Sequence, residues 1–357
     1  MKKSLVALAA MALTGTAFAQ SAPSSVTLFG IVDAGIANVS KNAAGLSWTG
    51  MATSNIASSQ FGLRGSEDLG GGLRAIFELT ADLNPENGTF DATAANSMNS
   101  GALFRRGSYV GLAGGFGQLT VGRRLNPFIL GAAGDQILAG NSTNTARAAA
   151  MNFADFWTKN AITYVSPTMG GLTIHGQYAM SNTAGRAADG TMSSLTAIYA
   201  AGPFSATAGY EKLDGGLTAA EAAATTGIST VVAAPLVAKK EATFVTAKYV
   251  MGAFSVGGGV YQVKVPGAVT RDGTSINLGY AFSKQLLTSV SFNDYEGTKV
   301  ATLQGRYVLS PRTSLYALYN DIDNGSVVTF VPTWGARGNA RPANTQSAFT
   351  VGVIHAF

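Results

Sequence analysis

The chain of 357 residues has no cysteine. A disulfide framework and a thiolate metal site are both excluded. Charged side chains are scarce at 12% of the sequence, about half the share usual in soluble domains. Past the N-terminal region no apolar run is long enough for a helical membrane span. No Gly-x-Ser-x-Gly elbow, phosphate-binding loop or calcium-hand spacing occurs. The two histidines, His175 and His355, lie far apart in sequence with no motif to mark a nucleophile and its base. Catalysis, a metal and a cofactor are therefore not expected. The basic excess is small, +5 over the whole chain, and gives no nucleic-acid footprint.

What is present begins with Met-Lys-Lys, an apolar run from Leu5 to Leu13, and Ala17-Phe18-Ala19 before Gln20. This reads as a secretory leader over 1–19, too short to span a bilayer, ahead of one domain over 20–357. Glycine is abundant, with 44 residues. The last twelve residues alternate strictly: Phe349, Val351, Val353, His355 and Phe357 share one face. Ala348, Thr350, Gly352, Ile354 and Ala356 share the other, which is mostly small apart from Ile354. Period two is the signature of a strand. An apolar face capped at both ends by rings suits a strand crossing lipid. A lone strand cannot stand there, because its backbone groups need partners on both sides. A closed ring of such strands is expected, with the last meeting the first.

Sixteen candidate strands follow from alternation bounded by turn residues: 25–40, 54–66, 71–84, 102–113, 117–124, 159–166, 172–182, 192–201, 203–212, 240–251, 254–265, 273–283, 285–295, 299–309, 313–322 and 346–357. Their connections alternate between short turns and mostly longer loops, as an even-numbered antiparallel barrel requires. Leu172, Ile174 and Tyr178 oppose Thr173, His175 and Gln177; Ile276, Leu278 and Tyr280 oppose Asn277 and Gly279. Leu73, Phe77 and Leu79 oppose Arg74, Glu78 and Asp82. A charge at mid-bilayer costs about 2–4 kcal/mol, so the polar faces must line a wet interior. An all-β, 16-stranded antiparallel transmembrane β-barrel is the expected fold, wide enough for an aqueous channel. A secreted all-β adhesin or soluble sandwich is the alternative class. The segment 313–322 is ambiguous, because Leu315, Tyr316, Leu318 and Tyr319 break the alternation.

Two further features stand out. Gly30, Ala34, Gly107 and Gly111 are read as outward and small, which suits either a wall shared with another copy or barrel curvature. The stretch Leu125 to Trp157 lacks alternation but carries Phe128, Ile129, Leu130, Ile137 and Leu138. A long irregular segment with that apolar content is expected to fold into the barrel mouth; an external flap is the alternative.

The chain resembles the trimeric general porins of Gram-negative outer membranes, closest to a beta-proteobacterial type. The resemblance rests on Ser25 to Gly35, Ser59 to Leu73, Phe104 to Leu112, Gly117 to Arg123, Asn160 to Pro167 and the terminal Phe357. It implies a third external loop folded inward to form a constriction, and a homotrimer in outer-membrane lipid and lipopolysaccharide. It also implies that Phe357 is read by the barrel-assembly machinery. In such channels a ladder of basic wall residues faces acidic groups on the loop, and small hydrophilic solutes and ions diffuse through. Carried over, Arg106 falls on one rung and Arg64 on a neighbouring one. Gln60 and Trp157 stand where further arginines are usual, with Lys159 nearby. Arg64, Arg105, Arg106, Arg123, Arg124 and Lys159 outnumber Glu78, Asp82 and Asp135. A weak anion preference is expected on that count. A substrate-specific channel and a non-conducting surface adhesin are the alternatives.

Overall fold

The computed structural model describes residues 24–40, 47–90, 102–138, 156–181, 184–215, 239–265, 270–323 and 345–357. The expected leader, and the loop residues Arg147 and Asp155, lie outside these.

The strands are β1 (Ser25–Val39), β2 (Trp48–Thr53), β3 (Gln60–Gly70), β4 (Leu73–Asp82), β5 (Gly107–Gly114), β6 (Gly117–Leu125), β7 (Trp157–Val165), β8 (Leu172–Ala179) and β9 (Met192–Ala201). They continue with β10 (Phe204–Leu213), β11 (Lys240–Met251), β12 (Phe254–Lys264), β13 (Arg271–Ala281), β14 (Leu286–Tyr295), β15 (Thr298–Ser310), β16 (Thr313–Asp323) and β17 (Thr345–Ala356). One helix, α1 (Pro127–Ala132), follows β6.

Every strand pairs antiparallel with its neighbours in the ring, and β17 returns to β1 through Ile31 opposite Ala356 and Val39 opposite Ala348. Strands β2 and β3 both pair with β1, one beyond the other, so they are two halves of one stave. The ring is thus a closed sixteen-stranded barrel, the arrangement lipid demands of strands. Gly30 and Phe357 exchange both backbone hydrogen bonds at 3.0 Å, which seals the seam.

The faces follow the alternation. Val26, Leu28, Val110, Leu112, Leu119, Val121, Val245, Val260, Ile276, Leu278 and Val353 are exposed on the outside. At the short-turn rim Tyr199 with Phe204, Phe254 with Tyr280, and Tyr280 with Phe282 form aromatic contacts, as an interfacial belt does.

Three readings of the sequence need correction. First, the second stave begins at Trp48 rather than at 54, and 54–59 leaves the ladder to fold inward. Ser54 turns through φ 60°. The Asp33 carboxylate takes the N–H groups of Ile56 at 2.6 Å and Ala57 at 2.9 Å, so their loss from the ladder costs little. Second, β5 starts at Gly107, and 102–106 instead leads Arg105 and Arg106 into the barrel. Third, Gly107 and Gly111 face the lumen. Val110 and Leu112, 55% and 42% exposed, take the outer positions beside them, and a Cβ on Gly107 would meet Glu78 Oε1 at 2.9 Å.

The apolar side chains on the wet side mark where chain folds inside. Tyr316, Leu318 and Ile354 are lumen-side and buried because Ile56 packs on them. That explains both the broken alternation of 313–322 and the odd Ile354. Phe244, Tyr261, Val263 and Tyr295 are buried with Phe128 and Ala132 of the loop after β6. The inward fold of that loop is therefore as expected over its described part, 126–138, and the external flap is excluded there.

The lumen constriction as candidate functional site

The loop crosses the lumen in a short run of fixed contacts. Asn126 caps α1, its side chain accepting from Phe128 N at 3.0 Å. Pro127 occupies the first helical turn, where its missing N–H is harmless. The other end of Asn126 donates to Glu211 Oε2 of β10 at 2.5 Å. Thr207 donates to Gly131 O at 2.6 Å and Tyr261 to Ala132 O at 3.2 Å. Lys248 Nζ reaches Gln136 O at 3.2 Å. The loop thus lies on the inner faces of β9 to β13. Segment 54–59 lies on those of β1, β16 and β17. The open lumen is pushed toward the wall of β3 to β8.

On that wall the recess is lined by Gln60, Glu78, Arg106, Tyr109, Arg124, Trp157 and His175, among others. Arg106 donates to Asp82 Oδ1 at 2.9 Å, and its guanidinium carbon lies 4.1 Å from the Trp157 ring centre. Arg124 lies over Tyr109 at 4.9 Å and donates to Thr120 Oγ1 at 3.1 Å. Arg64, on the lumen side of β3, lies over Phe29 at 5.1 Å and pairs in register with Glu78. Arginine stacks well on rings because its planar group is weakly hydrated. Glu78 accepts from Tyr109 at 3.0 Å and from Thr80 at 2.9 Å.

The remaining expected residues are placed differently. Arg105 is buried against Asp82, so its charge is matched before it reaches the recess. Arg123 shares the outward side of β6 with Leu119 and Val121, and its Nε donates to the Arg105 carbonyl. A bulge between Gly122 and Arg124 resets the register there. Lys159 is half-buried beside the left-handed Asn160 and does not line the recess. Asp135 is wholly buried, accepting from Ser275 and from Asn277 Nδ2 at 2.8 Å on β13. It is a latch for the loop, not a wall of the channel. Gly257 makes room for it, since a Cβ there would run into the Asp135 carbonyl. Phe357 lies outside, its ring seated over Gly30, where a Cβ would collide with it.

Sequence reading misses several lumen residues. Trp157 reads there as the loss of an arginine, yet in the structure it supports Arg106. Arg306 lies on the lumen side of β15 beside Gln304, while Leu303 and Tyr307 face out; its parity alone reveals this. The histidines lie on opposite sides of the wall: His175 lines the recess and His355 is outside, hydrogen-bonded to Thr313 at 2.9 Å.

A model of the Gram-negative porin family matches residues 5–326. The chain is 50% identical over 127 residues to outer membrane porin protein 32 of Delftia acidovorans, covering 36% of this chain and 33% of that protein. It is 40% identical over 140 residues to an outer membrane porin protein of Bordetella pertussis, covering 35% of this chain and 34% of that protein. These alignments span about a third of each relative. Among solved structures, an anion-selective porin from Comamonas acidovorans superposes with a TM-score of 0.74 at 28% identity, covering 94% of this chain and 100% of that one. The Salmonella typhi OmpF complex with daunomycin, at 15% identity and a TM-score of 0.63, covers 93% and 97% and shares the fold.

Proposed function

The chain belongs to the Gram-negative porin family, and from that membership we propose that it is a passive channel for ions and small hydrophilic solutes with a weak preference for anions. Membership and the lipid-facing barrel place it in the bacterial outer membrane. The observation that carries the anion preference is the charge balance of the open wall. Arg64, Arg106 and Arg124 stand on it against Glu78; Asp82 is shared by Arg105 and Arg106, which leaves that group net positive, and Asp135 is buried against β13. Fixed charge in a narrow wet passage raises the local concentration of the opposite ion. The similar Comamonas acidovorans protein is described as anion-selective, which supports the same sign here.

The working form is a homotrimer held through the outer faces of the first and last strands, where Ala34 leaves the wall low beside the Phe357 ring that covers Gly30. The leader 1–19 directs export, the barrel-assembly machinery reads Phe357, and rim arginines meet lipopolysaccharide phosphates. Planar-bilayer recording of the purified full chain tests the channel reading. Stepwise conductance that grows in proportion to salt is expected. Saturation by one solute points to a substrate-specific channel, and no steps at all to an adhesin.

A further inference from the structure

We propose that the lumen recess binds monocarboxylates that carry an aromatic ring or a short apolar body; this rests on the channel reading above. Phe244, Tyr261 and Leu318, apolar and on the lumen side of the strands, are covered by inward-folded chain. Leu130 of α1 is not. It is 46% exposed and lines the recess from the loop, beside Pro127. Across from it stand Arg106 on Trp157 and Arg124 on Tyr109, at 4.1 Å and 4.9 Å. Each ring fixes its guanidinium plane in advance, which lowers the ordering cost of gripping a carboxylate. The buried Nε of Arg106 has no protein acceptor, and an unmet buried donor favours an incoming oxygen.

The recess therefore has one cationic, aromatic side and one aliphatic side. A small inorganic anion engages the first and leaves the second wet. A carboxylate with an apolar body engages both: its oxygens meet the arginines while its body displaces water from Leu130 and Trp157. No bond is made or broken, and binding is brief, as passage requires.

The test is single-channel recording of the full chain in KCl with acetate, phenylacetate and 2-phenylethanol as blockers. Phenylacetate should half-block the current at about a ten-fold lower concentration than acetate, the gain expected from burying a phenyl group in part. The alcohol, having a ring but no charge, should not block in that range. Leu130→Ser should bring phenylacetate to within about two-fold of acetate, and Arg124→Gln should weaken block by both acids. Leu130 is half-exposed, so Leu130→Ser should fold, and the comparison in the unaltered protein stands without any variant. Equal block by the two acids, block by the alcohol as strong as by phenylacetate, or an unchanged ratio in Leu130→Ser would each overturn the proposal. Normal conductance steps with equal block defeat this inference alone, whereas absence of steps defeats the channel reading and this inference together.

Discussion

The Arg106 guanidinium lies over the Trp157 indole, 4.1 Å from the ring centre, while its Nη1 holds Asp82. A residue that breaks the ladder of arginines thus serves to hold one of them in place. Trp157→Ala removes an attraction of about 1–2 kcal/mol and a bulky wall group. The variant should conduct more per opening and discriminate less between chloride and potassium. Trp157→Phe should retain most of the discrimination. Single-channel conductance and reversal potential, read on both variants, check this.

The Asp135 latch leads to a different outcome from a pore-lining carboxylate. Asp135→Ala strips Ser275 and Asn277 of a shared acceptor in a buried place, at a cost of about 1–3 kcal/mol. The loop should loosen, raising open-channel noise and lowering the temperature at which the folded gel band converts to the unfolded one. A lining acid would instead shift selectivity and leave stability alone.

A second buried carboxylate organises the other inward segment. Tyr316 donates to Asp33 at 2.6 Å and accepts from Asn55 at 2.8 Å. Tyr316→Phe leaves both short of a partner, again at about 1–3 kcal/mol. The heat-conversion temperature should fall, with little change in ion preference because Tyr316 lies away from the basic wall.

Gly257→Val tests the close approach of loop to wall. Its side chain would occupy the place of the Asp135 carbonyl, so the loop must lift from β12. A barrel that still assembles should show a larger conductance, measured in the same bilayers.

The barrel is legible because lipid on one side and water on the other impose period two on every stave. Leu172 to Tyr178 and Ile276 to Tyr280 show it plainly. Legibility fails where the water side is covered by chain. Tyr316, Leu318 and Ile354 look like errors in the pattern until Ile56 is seen above them. The candidate site is half legible. Parity puts Arg64 and Glu78 in the lumen, and the family resemblance puts Arg106 there. Composition does not tell a free charge from a spent one, so it weighs Arg105, bound to Asp82, and Asp135, bound to Ser275, like the rest. Arg123 follows the alternation, sharing the outward side with Leu119 and Val121, and only a count of basic residues sets it in the lumen beside Arg124.

The reversal potential of the full chain across a steep KCl gradient tests the account most directly, with Arg106→Gln/Arg124→Gln measured alongside. Chloride should be the more permeant ion in the unaltered channel, and the double variant should lose that preference or reverse it. Cation preference in the unaltered channel, or selectivity that survives the loss of both arginines, would contradict it.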